Sequence, residues 1–198
     1  MKILIAVPTF ENILPDTFKS IYNLKIPEGT ECSFDFIRGY DCAKARNEIA
    51  KKAKDFDKVL MVDSDVILPD DALISMLNTT ADVCLGVYPR KNTSTGQTEI
   101  FKLGFMNFTD ENNMSMDEVL EHKGAKVPIK GGGLGCALIK SSIFNQLKYP
   151  WFKYVQYDTG DVLSEDNYFC CQVCNKGLEI VVDTHVLCGH SIRGFQWR

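Results

Sequence analysis

Lys58-Val59-Leu60-Met61-Val62-Asp63-Ser64-Asp65 is the stretch on which the reading of this chain turns. A short apolar, β-rich run ends abruptly on two carboxylates, so it predicts a buried strand from Lys58 to Val62 followed at once by a polar turn. In open α/β sheets, ligands bind outside the carboxyl ends of the strands. Two carboxylates there can hold a hard divalent cation such as Mg or Mn together with its anionic ligand. They can equally end a strand and cap a turn. The motif alone leaves both readings open.

Working outward, the N-terminal side predicts a strand from Lys2 to Val7 and a helix from Asp16 to Leu24 with Phe18, Ile21, Tyr22 and Leu24 at helical spacing. A strand from Ser33 to Arg38, closed by Gly39, follows. The next helix, Cys42 to Phe56, has a narrow face of Ala43, Ala45, Ile49, Ala50 and Ala53 suited to close packing on a sheet. On the C-terminal side Pro69, with Asp70 and Asp71, is expected to open a helix, and Val83 to Val87 to form a fourth strand. This alternation predicts an α/β, Rossmann-like, mainly parallel sheet.

The second half reads differently. Lys91 to Lys126 is polar and weakly periodic, expected as a surface excursion with one strand at Glu99 to Phe105. The run Gly131-Gly132-Gly133-Leu134-Gly135 leads into a strand at Cys136 to Ile139 and a short helix capped near Ser141 or Ser142. Ser164 to Asn175 is expected as a helix with Ser164 as its cap and Gly177 as its stop, and Leu178 to Val182 as the last strand. With no repeat or linker, residues 1–198 read as a single domain, complete or cut from a longer protein.

The 198 residues are 45% hydrophobic and 24% charged, and 22 basic against 26 acidic side chains give a net charge of −4. Nothing global draws such a chain to nucleic acid or to an anionic membrane. Ile3 to Pro8 is far shorter than the roughly 20 residues of a membrane span and too short for a signal-peptide core. No transmembrane segment and a cytoplasmic location are therefore expected. Of eight cysteines only Cys171 and Cys174 form a C-x-x-C, with no second pair to close a zinc site, so free thiols acting as small hydrophobes are expected.

Five short motifs occur in order: Val7-Pro8-Thr9-Phe10, Ala45-Arg46-Asn47, Asp63-Ser64-Asp65, Glu165-Asp166 and Gly189-His190. Together, from Lys2 to Gly194, they resemble the GT-A fold glycosyltransferases, particularly the family 2 type. The resemblance implies a GT-A nucleotide-diphospho-sugar transferase fold with a mainly parallel central sheet. It also implies metal-dependent transfer of a sugar from a nucleotide-diphosphate sugar, UDP-sugar favoured, to a hydroxyl acceptor such as a glycan, with inversion. Asp63 and Ser64 would meet the nucleotide-sugar, and Asp65 and His190 would hold a divalent cation, Mn in preference to Mg. Pro8, Thr9, Phe10 and Glu11 would cradle base and ribose, with Asp41 as the candidate for a base-contacting carboxylate. Asp166 would be the catalytic base, with Glu165 on the acceptor.

Several of these residues carry a second reading. Arg46 and Asn47, near a helix start facing the crevice, suit diphosphate binding; Arg46 could instead pair with Glu48 or a surface carboxylate. Two acids in a first helical turn favour the helix dipole without further role. The glycine run lacks the ending of a P-loop, and the resemblance instead sets Gly132, Gly133, Leu134 and Gly135 beneath sugar and acceptor. His185 competes with His190, whereas His122 carries no signal. The rival functions are a nucleotidyltransferase and a non-catalytic nucleotide-sugar binding module.

Overall fold

A computed structural model describes residues 1–39, 41–90, 97–102, 110–192 and 195–196. In chain order the elements are β1 (Lys2–Thr9), α1 (Pro15–Tyr22), β2 (Glu31–Arg38), α2 (Cys42–Ala53), β3 (Lys58–Val62), β4 (Val66–Ile67), α3 (Ala72–Leu77) and β5 (Val83–Val87). Then come β6 (Gln97–Phe101), β7 (Asn113–Ser115), α4 (Met116–Glu121), β8 (Lys126–Pro128), β9 (Gly131–Gly132) and β10 (Cys136–Lys140). The rest are β11 (Val155–Gln156), β12 (Val162–Leu163), α5 (Glu165–Asn175), β13 (Ile180–Leu187), β14 (Gly189–Ile192) and β15 (Phe195–Gln196).

Seven strands form the central sheet in the order β2-β1-β3-β10-β5-β13-β8. β1, β2 and β3 run parallel, as do β5 and β13, while β10 is antiparallel to β3 and β5 and β8 antiparallel to β13. The expected mainly parallel α/β sheet is what forms, with β10 inserted between β3 and β5. Both faces are buried, because alternate residues feed two apolar layers. Leu4 and Ala6 of β1 and Val59 and Met61 of β3 face a layer completed by α2 and α5; Ile3, Ile5, Val7, Leu60 and Val62 face one completed by α1 and α3. The alanine face of α2 packs as expected, with Ala45, Ile49, Ala50 and Ala53 all buried.

Local expectations fail where tertiary contacts decide. On α1 the buried residues are Thr17, Ser20 and Ile21, whereas Phe18 and Tyr22 are exposed, so the packed face is rotated from the aromatic stripe. Pro69 lies ahead of α3 and neither Asp70 nor Asp71 sits in its first turn. Instead the Asp71 carboxylate meets His185 at 2.9 Å. The short 3₁₀ helix at Ser141–Asn145 starts after Lys140 without a side-chain cap, and the Ser141 hydroxyl is buried without a partner. Ser164 does precede α5, but its hydroxyl donates to Asp166 rather than capping a backbone N–H.

The excursion is more structured than its composition suggests. β6 pairs with β7 and β9, α4 carries a full capping box between Ser115 and Glu118, Ile100, Met114 and Val119 join the core, and Phe101 is buried. The expected strand at Glu99 to Phe105 is present as β6 to Phe101; its end at residues 103–105 lies outside the described residues. Trp197 and Arg198, beyond Gln196, also lie outside them. None of the eight cysteines is in a disulfide. Among the described residues no helix is long and apolar enough to cross a membrane.

Candidate active site

Three strand ends and one helix start meet in a cleft of about 610 Å³. β1 delivers Pro8, Thr9 and Phe10; β3 delivers Asp63, Ser64 and Asp65; α5 opens with Glu165 and Asp166; β14 brings His190. Glu11 lines an adjoining recess with Phe10, Asn12, Arg38 and Gly39. Asp41 borders the main cleft and caps α2, its carboxylate accepting from Lys44 N at 2.7 Å.

Arg46 is the centre of this arrangement. It projects from α2 and is only 2% exposed. Its Nη2 donates to both carboxylate oxygens of Asp63, at 2.9 and 3.2 Å, and its Nη1 donates to the Leu134 carbonyl at 3.1 Å. Its Nε forms an ion pair with Glu165 at 3.4 Å, too poorly aligned for a hydrogen bond. Burial alone would lower the guanidinium pKa, but Asp63, Glu165 and Asp166 more than offset it and raise it further. The Glu165 carboxyl moves up from its ordinary range because burial outweighs Arg46, with Asp166 adding to the rise. Arg46 thus pairs neither with Glu48 nor with a surface carboxylate, and its donors are committed to Asp63, Leu134 and Glu165 rather than held ready for a diphosphate.

Asn47 stands apart from the cleft. Its Nδ2 donates to the carbonyls of Ala43 and Phe152, both at 2.7 Å, and its Oδ1 accepts from Trp151 N at 3.0 Å. The expected nucleotide-binding role has no access to its amide, which ties the 150–152 segment to α2. Gly132, Gly133, Leu134 and Gly135 are likewise buried, below the cleft rather than lining it. Their contribution is made from beneath, through the Leu134 carbonyl on Arg46 and the Gly135 carbonyl, which accepts from Asp63 N at 2.9 Å.

β4 and β14 pair Val66 with His190, which brings the imidazole beside Asp65. His190 Nδ1 lies 2.6 Å from the Pro89 carbonyl, which can only accept, so Nδ1 carries a proton and Nε2 is the nitrogen nearest Asp65. Nε2 is 3.5 Å from Asp65 Oδ1. A carboxylate beside an imidazole whose other nitrogen is held by a carbonyl could supply two ligands to a cation. Among the described residues no cluster of three or more His, Cys, Asp or Glu could hold a metal by itself. An ion here would take its remaining ligands from substrate and water, as Mg and Mn do at phosphates. His185 is exposed on Asp71, and His122 follows α4; neither borders the cleft.

The cleft also contains residues that the motifs miss. Tyr88 and Arg90 follow β5, and Glu99 comes from β6. Arg90 Nε pairs with Glu99 Oε1 at 3.0 Å. Burial raises the Glu99 carboxyl, Arg90 lowers it and Asp166 raises it, for a net rise. The rule that ligands gather at strand ends applies to Tyr88-Pro89-Arg90 as it does to Asp63, and could have found them.

No protein-family model matches the sequence, and no curated protein matches it. Solved structures do. A197 from STIV is 19% identical, with a TM-score of 0.62 over 97% of this chain and 86% of that one. GalNAc-T7 with UDP, GalNAc and Mn2+ is 10% identical, with a TM-score of 0.61 over 96% of this chain, which spans 43% of GalNAc-T7. The catalytic domain of Drosophila beta1,4galactosyltransferase 7 in complex with xylobiose is 16% identical, with a TM-score of 0.53 over 92% of this chain and 64% of that one. The inositol-1-phosphate CTP transferase from T. maritima is 12% identical, with a TM-score of 0.50 over 96% of this chain and 88% of that one. The chain has a GT-A-type, glycosyltransferase-like fold.

Proposed function

We propose that this protein transfers a sugar from a nucleotide-diphosphate sugar, UDP-sugar favoured, to a hydroxyl acceptor such as a glycan, with inversion and with a divalent cation. The observation that carries this is the Asp63-Arg46-Glu165 clamp, which joins three of the five motifs in one cleft. Charge supports the cation. Six carboxylates and two arginines line the cleft, so a diphosphate would be repelled without added positive charge. Asp65 and His190 would hold the ion, Mn in preference to Mg because imidazole is present. When bound, it would offset the charge that develops on the diphosphate leaving group.

The remaining work falls to the protein. Arg46 holds the Asp63 carboxylate in a fixed orientation, towards ribose or diphosphate. Asp166 is the proposed base. Its Oδ1 accepts from the Ser164 hydroxyl and from Asn167 N at 2.7 Å, which locks the carboxylate and leaves Oδ2 for the proton of an acceptor hydroxyl. Glu165 is buried and ion-paired to Arg46, so it positions rather than reacts. A reducing, cytoplasmic compartment suits the eight thiols.

The likeness to a CTP transferase favours nucleotidyl transfer as the second reading. The two differ in which bond breaks. Incubation with Mn, a panel of UDP-, GDP- and dTDP-sugars and a set of glycan acceptors, followed by NMR, should yield a nucleoside diphosphate and a glycoside of inverted configuration. Pyrophosphate released from a nucleoside triphosphate in the presence of a sugar phosphate would instead establish the rival. Nucleotide-sugar binding without turnover on any acceptor would make the protein a binding module.

A further inference from the structure

The glycine run below the cleft has a function of its own, and it concerns Tyr88. A Cβ built on Gly133 would lie 2.0 Å from the Tyr88 hydroxyl oxygen, and one on Gly135 would lie 3.0 Å from that oxygen, from Tyr88 Cζ and from Asp63 Oδ2. Only glycine at 133 admits this ring. The slot therefore exists for a tyrosine that borders the cleft yet is only 6% exposed. Its hydroxyl oxygen accepts from Gly135 N at 3.0 Å. That bond uses a lone pair and fixes the oxygen, while the hydroxyl hydrogen meets no acceptor among the described residues.

A buried donor without an acceptor is costly unless a ligand completes it. The surroundings say which part of a ligand does so. The Tyr88 ring stands edge-on to His190, with centroids 5.3 Å apart, its hydroxyl and Asp63 Oδ2 both close over Gly135, and Glu99 and Asp166 line the same cleft. It thus shares one cleft with the proposed cation pair, where a diphosphate would sit, and with the proposed base, which must face the anomeric carbon. What lies between those two in a nucleotide-sugar is the sugar.

Resting on the glycosyltransferase reading, we infer that the Tyr88 hydroxyl donates a hydrogen bond to a hydroxyl oxygen of the transferred sugar and so selects among donor sugars. A site built to bond a substrate hydroxyl discriminates against analogues that lack it.

Tyr88→Phe tests this, because it keeps the ring in its slot and against His190 and removes only the hydroxyl. Affinities are measured by calorimetry with Mn, for the tightest-binding sugar of the UDP-, GDP- and dTDP-sugar panel and for its parent diphosphate. The variant should bind the sugar nucleotide about five- to tenfold more weakly and the parent diphosphate as the wild type does. In the wild type one monodeoxy sugar nucleotide should show the same loss, and the variant should not distinguish it from the full sugar. This second arm does not depend on how well the variant folds.

Equal weakening of sugar nucleotide and diphosphate would mean that Tyr88 acts through His190, and no change in either would mean that the hydroxyl is idle; both overturn the inference. Failure of the wild type to bind any diphosphate with Mn is a different result. It removes the glycosyltransferase reading itself, and this inference with it.

Discussion

At the residue scale the central object is a buried arginine between two carboxylates from distant segments. Each isolated motif was legible in the sequence, since acids after a strand and at a helix start stand out. The pairing was not, because nothing local says that Arg46 prefers Asp63 and Glu165 to Glu48, only two residues away. Arg46→Met would leave Glu165 buried beside Asp166 without its cation, which should cost about 3–5 kcal/mol. Arg46→Lys should restore little, because an ammonium cannot fork onto Asp63 while reaching Glu165. The sign of the pH dependence follows from Glu165, whose folded pKa is raised above the ordinary 4.5. Its contribution is fully present below 4.5 and is lost as pH rises through the folded value. Removing Arg46 raises that value further, so urea denaturation across a pH series should show the variant's deficit widening as pH increases from 4.5; parallel curves would contradict the clamp. On chemistry, Asp166→Asn should lower transfer by about 10²–10⁴ with donor affinity retained, as loss of a general base does. Glu165→Gln should be milder. Near-normal transfer by Asp166→Asn, or a product of retained configuration, would remove Asp166 from that role.

At the element scale, strands were easier to read than their partners. The apolar runs at Lys2 to Val7, Lys58 to Val62, Val83 to Val87 and Cys136 to Ile139 all form central strands, yet an apolar run carries no record of its direction. The antiparallel insertion of β10 between β3 and β5 was therefore invisible beforehand. That insertion is what sets the glycine run under Asp63 and Tyr88. Helix α2 shows the opposite case, in which a residue assigned to ligand binding turns out to serve packing. Asn47 bonds backbone groups of Ala43, Trp151 and Phe152, all of them buried. Asn47→Leu would strand those groups at roughly 1–3 kcal/mol each. The midpoint in urea should fall clearly, while the affinity for UDP with Mn stays within about twofold, below the 0.5 kcal/mol that a single lost hydrogen bond to ligand would remove. A large loss of affinity in a variant that remains folded would return Asn47 to the binding site.

At the scale of the whole molecule, the net charge of −4 gave no global attraction to nucleic acid or to an anionic membrane, but it said nothing of how the acids are distributed. Six of them converge on one cleft because the end of β3, the starts of α2 and α5 and the excursion meet there, and only the assembled sheet brings those segments together. Under the proposed function, this concentration makes nucleotide and cation mutually dependent. Without a cation the cleft would repel a diphosphate; with a cation on Asp65 and His190, the diphosphate would complete the coordination that two side chains cannot supply. Linkage then requires that UDP strengthen Mn binding by the same factor by which Mn strengthens UDP binding. Thermal unfolding reports this directly, because a ligand at about 100 times its Kd adds about 2.7 kcal/mol to the folded state. For a chain of this size that corresponds to a rise in Tm of about 5–10 °C. UDP with Mn should produce such a rise, UDP with a chelator almost none and Mn alone only a small one. Asp65→Ala and His190→Ala should each remove most of the combined effect while leaving the Tm of the ligand-free protein nearly unchanged. Stabilisation by UDP that is equal with Mn and with chelator, in the wild type and in both variants, would separate nucleotide from cation and leave Asp65 and His190 as a strand-end contact only.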